Sequence, residues 1–150
     1  MKLGIASDHR GYKLKEELII KLKELGYTIV DYGTNSMVSC DYPDYAYKLG
    51  KGIINHDVDK GIAICGSGIG ISIALNKMKG IYCAKVDNKM DAYHTRSDNN
   101  TNCVAFNGEK SVDEALDIVK VFVNTDFSKL DKHIRRINKV KMIENGDYHA

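Results

Sequence analysis

The sequence predicts an α/β domain built on a five-stranded parallel sheet with helices on both faces, and three observations carry that expectation. Short apolar runs alternate with stretches whose apolar residues recur at helical spacing, five times over. A glycine-rich turn joins the third run directly to a helix. With 150 residues, 43% of them hydrophobic and 28% charged, the chain can bury one ordinary core, and no linker or repeat divides it, so residues 1–150 are expected to form a single domain.

The elements follow in order. Lys2 to Ser7 reads as a strand with Asp8 and His9 at its carboxyl end. Tyr12, Leu14, Leu18, Ile19, Leu22 and Leu25 mark a helix that Gly26 stops. Thr28 to Tyr32 is the second strand, Gly33 to Tyr42 a polar loop, and Pro43, the one proline, opens a helix to about Asn55. Ile62 to Ile64 forms the third strand, and Ile71 to Lys77 its helix. A strand at Ile81 to Val86, a helix from Lys89 to about Asp98, a strand at Cys103 to Phe106 and a helix from Val112 to Val123 complete the alternation. Leu130 to about Ile143 is a last, basic amphipathic helix. If the second strand flanks the first on one side and the third on the other, right-handed crossovers open a crevice between the first and third strands.

Charge and composition narrow the function classes. The formal charge of +2 comes from 22 basic and 20 acidic residues spread along the chain, which gives no footprint for nucleic acid or a membrane surface. No apolar leader or spanning segment is present, so the expected compartment is the cytoplasm. Cys40, Cys65, Cys83 and Cys103 are widely spaced, so neither a metal site nor a disulfide framework is expected.

The chemistry gathers around GIAICGSGIGISIALNK, residues 61–77. A strand, a glycine turn and a helix aim backbone N–H groups and a positive dipole end at one spot, which favours a phosphate, a carboxylate or a developing enolate. Cys65 sits on the lip of that turn, where a thiolate is favoured, which makes it a candidate base or nucleophile. Ser67 is either a turn residue or a hydroxyl that holds a reacting oxygen. Gly66, Gly68 and Gly70 give GxGxG, neither the dinucleotide fingerprint nor a Walker loop. Asp8 can cap the first helix and also face a ligand. Cys40, Cys83 and Cys103 read as ordinary small residues. Thr95 to Asn102, TRSDNNTN, is too polar for core and is either a solvated turn or a hydrogen-bonding set suited to a sugar. Lys132 and Arg136 are one helical turn apart, a spacing that can clamp a phosphate.

These residues resemble the ribose-5-phosphate isomerase B and galactose-6-phosphate isomerase family through SDHRGYKLKEEL, the DYGT turn, CDYPDYA, the glycine stretch, NNTNCVAF and the basic last helix. The resemblance implies a Rossmann-like three-layer α/β/α sandwich that works without metal or cofactor as a homodimer or homotetramer with an intersubunit active site. It carries over to Asp8 and His9 as substrate-binding residues, Cys65 as the base, Gly66, Gly68, Ile69 and Gly70 as the enediolate-binding loop, Asn99 as a ligand contact, and Lys132 and Arg136 as phosphate positions. Two positions depart from the pattern. Asp98 stands where many members have the histidine credited with ring opening, and a family arginine falls near Glu109 and Lys110.

The expected reaction is therefore aldose–ketose isomerisation of a phosphorylated sugar, ribose 5-phosphate first, through an enediolate, with Cys65, Ser67 and Asp98 as catalytic groups. The alternatives are a hexose 6-phosphate of the allose or galactose type, and a non-catalytic sugar-phosphate binder, for which a reactive thiol has no use. His94, four residues before Asp98, is either a surface residue or a replacement acid for ring opening.

Overall fold

The computed structural model describes all 150 residues, Met1–Ala150. The strands are β1 (Lys2–Ser7), β2 (Thr28–Asp31), β3 (Lys60–Cys65), β4 (Cys83–Lys85) and β5 (Cys103–Asn107). The helices are α1 (Tyr12–Glu24), α2 (Tyr42–Ile54), α3 (Ile69–Asn76), α4 (Lys89–Ser97), α5 (Val112–Asn124) and α6 (Asp131–Asn145). All strand pairs are parallel, in the order β2-β1-β3-β5-β4. The expected flanking of β1 by β2 and β3 is therefore present, and β5 enters between β3 and β4.

Residue alternation along the strands explains the two layers. Leu3, Ile5, Ile62, Ile64, Val104 and Phe106 point to one face and pack against Leu14, Leu18 and Leu22 of α1 and Ala115, Ile118, Val119 and Phe122 of α5. The opposite face carries small groups, Gly4, Ala6, Gly61, Ala63, Cys65, Cys103 and Ala105, on which α2 and α3 lie close. A Cβ added to Gly61 would lie 2.7 Å from Ile53 Cδ1 and 3.0 Å from Cys103 Sγ, so a side chain there would force the packed side chains of this layer to shift. Each fully buried Leu, Ile or Phe contributes about 1.5–3 kcal/mol, and this double core supplies the main drive to fold.

Local chemistry fixes the element ends. Asn88 caps α4 by accepting from Asp91 N (2.9 Å), and Ser111 caps α5 by accepting from Glu114 N (3.2 Å). Lys15, fully buried, places Nζ 2.7 Å from Asp31 Oδ2 and ties α1 to the end of β2. Several boundaries move by a residue or two, and two of the shifts have a plain physical reason. α3 begins at Ile69, two residues early, because the αL backbone of Gly68 turns the chain into the helix. β4 is shorter than Ile81 to Val86: both end residues are buried as expected, but only Cys83–Lys85 pairs in the ladder. No helix is long and apolar enough to cross a membrane.

Candidate active site

The end of β3 turns sharply at Cys65, and each glycine of the loop has its own reason. Gly68 has φ +78°, and a Cβ there would sit 2.7 Å from the Phe106 carbonyl carbon. At Gly70 a Cβ would meet the Tyr42 ring at 2.7 Å, and at Gly66 the Arg10 guanidinium at 2.5 Å. The result is a loop pressed onto β5, with the N–H groups of Gly66, Ser67 and Gly70 left without an acceptor in the chain. Unpaired N–H groups at the start of a helix favour a negative charge beside them.

Cys65 is more enclosed than the lip position expected from the sequence, at 4% exposure, because Ala6, Ala105 and α3 pack around the end of β3. Its Sγ accepts from Gly68 N at 3.2 Å, a donor aimed at the atom that bears charge in a thiolate. Ser67 Oγ accepts from Ile69 N (3.1 Å), which is the turn role; it makes no bond to Cys65.

Asp8 and His9 reach the same mouth from β1, in the crevice that the strand order opens. Asp8 Oδ1 accepts from the backbone N–H groups of Arg10 (2.9 Å) and Gly11 (3.1 Å). Both lie in the turn ahead of α1, whose N-cap is Gly11 with no side-chain cap bond, so Asp8 closes that turn instead of capping the helix as expected, and its Oδ2 stays available. His9 Nδ1 accepts from Cys40 N (3.2 Å), which assigns the ring proton of the neutral imidazole to Nε2. Cys40 therefore lies against a candidate substrate-binding residue, with Sγ 3.8 Å from the ring nitrogen. The ordinary reading does fit Cys83 and Cys103, register partners on β4 and β5; burial pushes the Cys103 thiol well up.

The remaining candidates lie at the other edge of the sheet. Cys65 pairs with Asn107 at the carboxyl end of β5, whereas Gly61 N donates to Asn102 O at its amino end. β5 is five residues long, so at about 3.3 Å per residue the two edges are about 13 Å apart. Asp98 and Asn99 sit at the amino edge with α6. Asp98 Oδ1 is 3.6 Å from His133 Nε2, and Asp98 Oδ2 is 3.8 Å from His94 Nδ1. Within α6, Lys132 and Arg136 are exposed and unpaired. One chain thus brings together Asp8, His9 and Cys65 to Gly70, and separately Asp98, Asn99, Lys132 and Arg136; it does not join the two groups.

The segment from Thr95 to Asn102 corrects its sequence reading. Thr95, Arg96 and Thr101 are buried, because their polar atoms satisfy one another: the two threonine hydroxyls are 2.9 Å apart, and Arg96 donates to Thr125 O, Asn100 Oδ1 and Thr101 O. Burial pulls the Arg96 guanidinium below its ordinary pKa. Asn102 links Tyr82 N to Gly80 O. Asn99 alone among the three asparagines is exposed with its amide unbonded.

Sequence reasoning missed Arg10, Tyr42, Arg96 and His133. His133 lies inside the basic last helix, and Tyr42 and Arg10 inside recognisable stretches. Nothing local indicated that they would meet Asp98, Gly70 and Gly66.

Comparisons with known proteins bear on the family and the fold. A family model described as Ribose/Galactose Isomerase matches residues 3–140. Ribose-5-phosphate isomerase B of Escherichia coli strain K12 is 36% identical over 146 residues, covering 95% of this chain and 96% of that one. The structure of ribose-5-phosphate isomerase B from Clostridium thermocellum is similar at 40% identity and a TM-score of 0.94, covering 99% of this chain and all of the other. The enzyme from Mycoplasma genitalium, solved with bound ribulose-5-phosphate, gives 35% identity and a TM-score of 0.88 over 96% of both chains. The parallel five-stranded sandwich, the loop at Cys65 and these full-length similarities place the chain in the ribose/galactose isomerase family of sugar-phosphate isomerases.

Proposed function

We propose that the protein interconverts ribose 5-phosphate and ribulose 5-phosphate at a site completed between two copies of the chain. The observation that carries this reading is the separation of the candidate residues onto opposite edges of one sheet. A proton-transfer group with free oxyanion donors occupies one edge; the exposed Lys132 and Arg136 pair and Asn99 occupy the other. A second copy related by a two-fold axis sets each edge against the other's complement, twice. The helix α6 supports this arrangement, since it has no buried residue while exposing Ile134, Val140, Met142 and Ile143.

In this reading the Cys65 thiolate takes the proton from C2 of the open-chain aldose and returns it to C1. The electron pair moves through a cis-enediolate, the O2 hydroxyl proton passes to O1, and the carbonyl moves from C1 to C2 without net oxidation. The N–H groups of Gly66, Ser67 and Gly70 and the Ser67 hydroxyl hold the developing oxyanion, and one such donor is worth about 3 kcal/mol of barrier. Nε2–H of His9 and the free Oδ2 of Asp8 orient sugar hydroxyls. Lys132 and Arg136 of the second copy bind the phosphate and supply remote binding energy.

Mixing two inactive variants tests the reading. Cys65→Ala and Arg136→Ala are each expected to lose turnover of ribose 5-phosphate. After joint unfolding and refolding, hybrids hold one intact site in two, so activity returns to about one quarter of wild type. No recovery refutes the intersubunit site. Faster wild-type turnover of allose or galactose 6-phosphate reassigns the substrate.

A further inference from the structure

The carboxyl edge holds a cation, Arg10, that no sequence pattern singled out. Arg10 lies between Asp8–His9 and α1, and its guanidinium rests against Gly66, the residue after the candidate base. A Cβ built on Gly66 would be 2.5 Å from Cζ and Nη1 and 2.7 Å from Nε. The backbone that launches this side chain is clamped. Arg10 N donates to Asp8 Oδ1, Arg10 O would be 2.5 Å from a Cβ on Gly108, and a Cβ on Gly11 would be 2.7 Å from Ile64 O.

The guanidinium is placed but not consumed. Its one charged neighbour is Glu109, with Nη2 3.9 Å from Oε1, and both side chains are largely exposed, at 61% and 84%. Such a pair is loose and leaves the planar donor edge available. The neighbouring Lys110 does not compete for the mouth, because its Nζ donates to Asp87 O at 2.6 Å. Where the family resemblance expects an arginine near positions 109 and 110, this chain has an acid and an occupied lysine, with Arg10 facing that acid across the loop.

We propose that Arg10 is a catalytic cation of the isomerisation, donating to the sugar oxygen on which negative charge develops beside Cys65. This rests on the proposed sugar-phosphate reaction. Position selects the reacting end over the phosphate: the guanidinium covers Gly66, whose free N–H belongs to the oxyanion loop, whereas the phosphate is carried three carbons beyond C2. An added full charge at that oxygen strengthens as the enediolate forms, so it acts on kcat more than on KM.

The test compares Arg10→Met, Arg10→Lys and Gly66→Ala on ribose 5-phosphate, together with calorimetric binding of inorganic phosphate. Gly66 has no positive φ, so alanine fits its backbone, and the flexible arginine is what must move. Arg10→Met should lower kcat about 10²-fold, with KM and the phosphate Kd within about 3-fold. Gly66→Ala should lower kcat in the same direction, Arg10→Lys should recover part of the loss, and the double variant should be little worse than Arg10→Met, since both changes remove one interaction. Unchanged kcat in Arg10→Met, a rise in KM matched by lost phosphate affinity, or multiplicative losses in the double variant would each overturn the assignment of Arg10 alone. A wild type inactive on every aldose phosphate would overturn the proposed reaction and this role with it.

Discussion

Replacing Gly68 with alanine isolates what the loop owes to close packing. Two costs add. A backbone at φ +78° disfavours any L side chain by about 1–2 kcal/mol. The new Cβ would also stand 2.7 Å from the Phe106 carbonyl carbon and 2.8 Å from its Cα, where comfortable carbon contacts begin at about 3.5 Å. Backbone on a central strand cannot rotate away as a side chain can, so the loop must lift. Overpacking of this kind costs about 1–3 kcal/mol, which makes the total about 2–5 kcal/mol. Gly26→Ala is the control, since Gly26 has φ +92° and nothing within 4 Å of an added Cβ; it should lose only the conformational part. Lifting the loop also withdraws Gly68 N–H from Cys65 Sγ, now 3.2 Å away, so kcat should fall about 10²-fold. Urea unfolding and steady-state kinetics on both variants read the two effects. Equal destabilisation by Gly68→Ala and Gly26→Ala would refute the steric contribution, and unaltered kcat would refute the link from loop position to chemistry.

Two further outcomes follow from groups away from the loop. Burial first, then its hydrogen bond to Glu144 (2.7 Å), push Tyr82 up to about 12 from an ordinary 10, so its contribution to stability is complete below pH 10 and is lost as pH rises toward 12. Thermal unfolding of wild type should therefore fall more steeply than that of Tyr82→Phe between pH 10 and 12, and parallel curves would remove the linkage. His94 lies 3.8 Å from Asp98, beyond hydrogen-bond reach, so His94→Ala should leave turnover of ribose 5-phosphate within about 3-fold of wild type, while Asp98→His should raise the rate on cyclic hexose phosphates. Loss on cyclic substrates alone after His94→Ala would assign ring opening to that histidine.

What could be read from the sequence was local. Strand and helix order, the turn at Cys65, the local backbone bonds of Asp8 and the one-turn spacing of Lys132 and Arg136 depend on residues a few positions apart. The insertion of β5 between β3 and β4 does not, since both orders satisfy the same alternation of apolar runs. The segment from Thr95 to Asn102 shows the limit most clearly. Its composition is that of a solvated turn, yet Arg96 reaches Thr125 just past the end of α5 and is buried together with Thr95 and Thr101. Arg10 and Gly66 are 56 positions apart by their numbering and meet only because β1 and β3 are neighbours. A glycine's need for close approach, unlike its need for positive φ, depends wholly on the partner that approaches.

The last helix connects folding to function. A fifteen-residue helix in isolation is marginal in water, and α6 gains little from its own chain: Glu144 accepts from Gly80 N and the Tyr82 hydroxyl near one end, and His133 approaches Asp98 near the other. Between these two ties Ile137 is half-buried, while Ile134, Val140, Met142 and Ile143 stay exposed. On the proposed reading, the second copy that covers Ile134, Val140 and Ile143 also receives Lys132 and Arg136 at the mouth of its own Cys65 loop. Burial of the apolar face would then fix the position of the phosphate clamp, so that a charge introduced on that face would loosen substrate binding without touching the substrate.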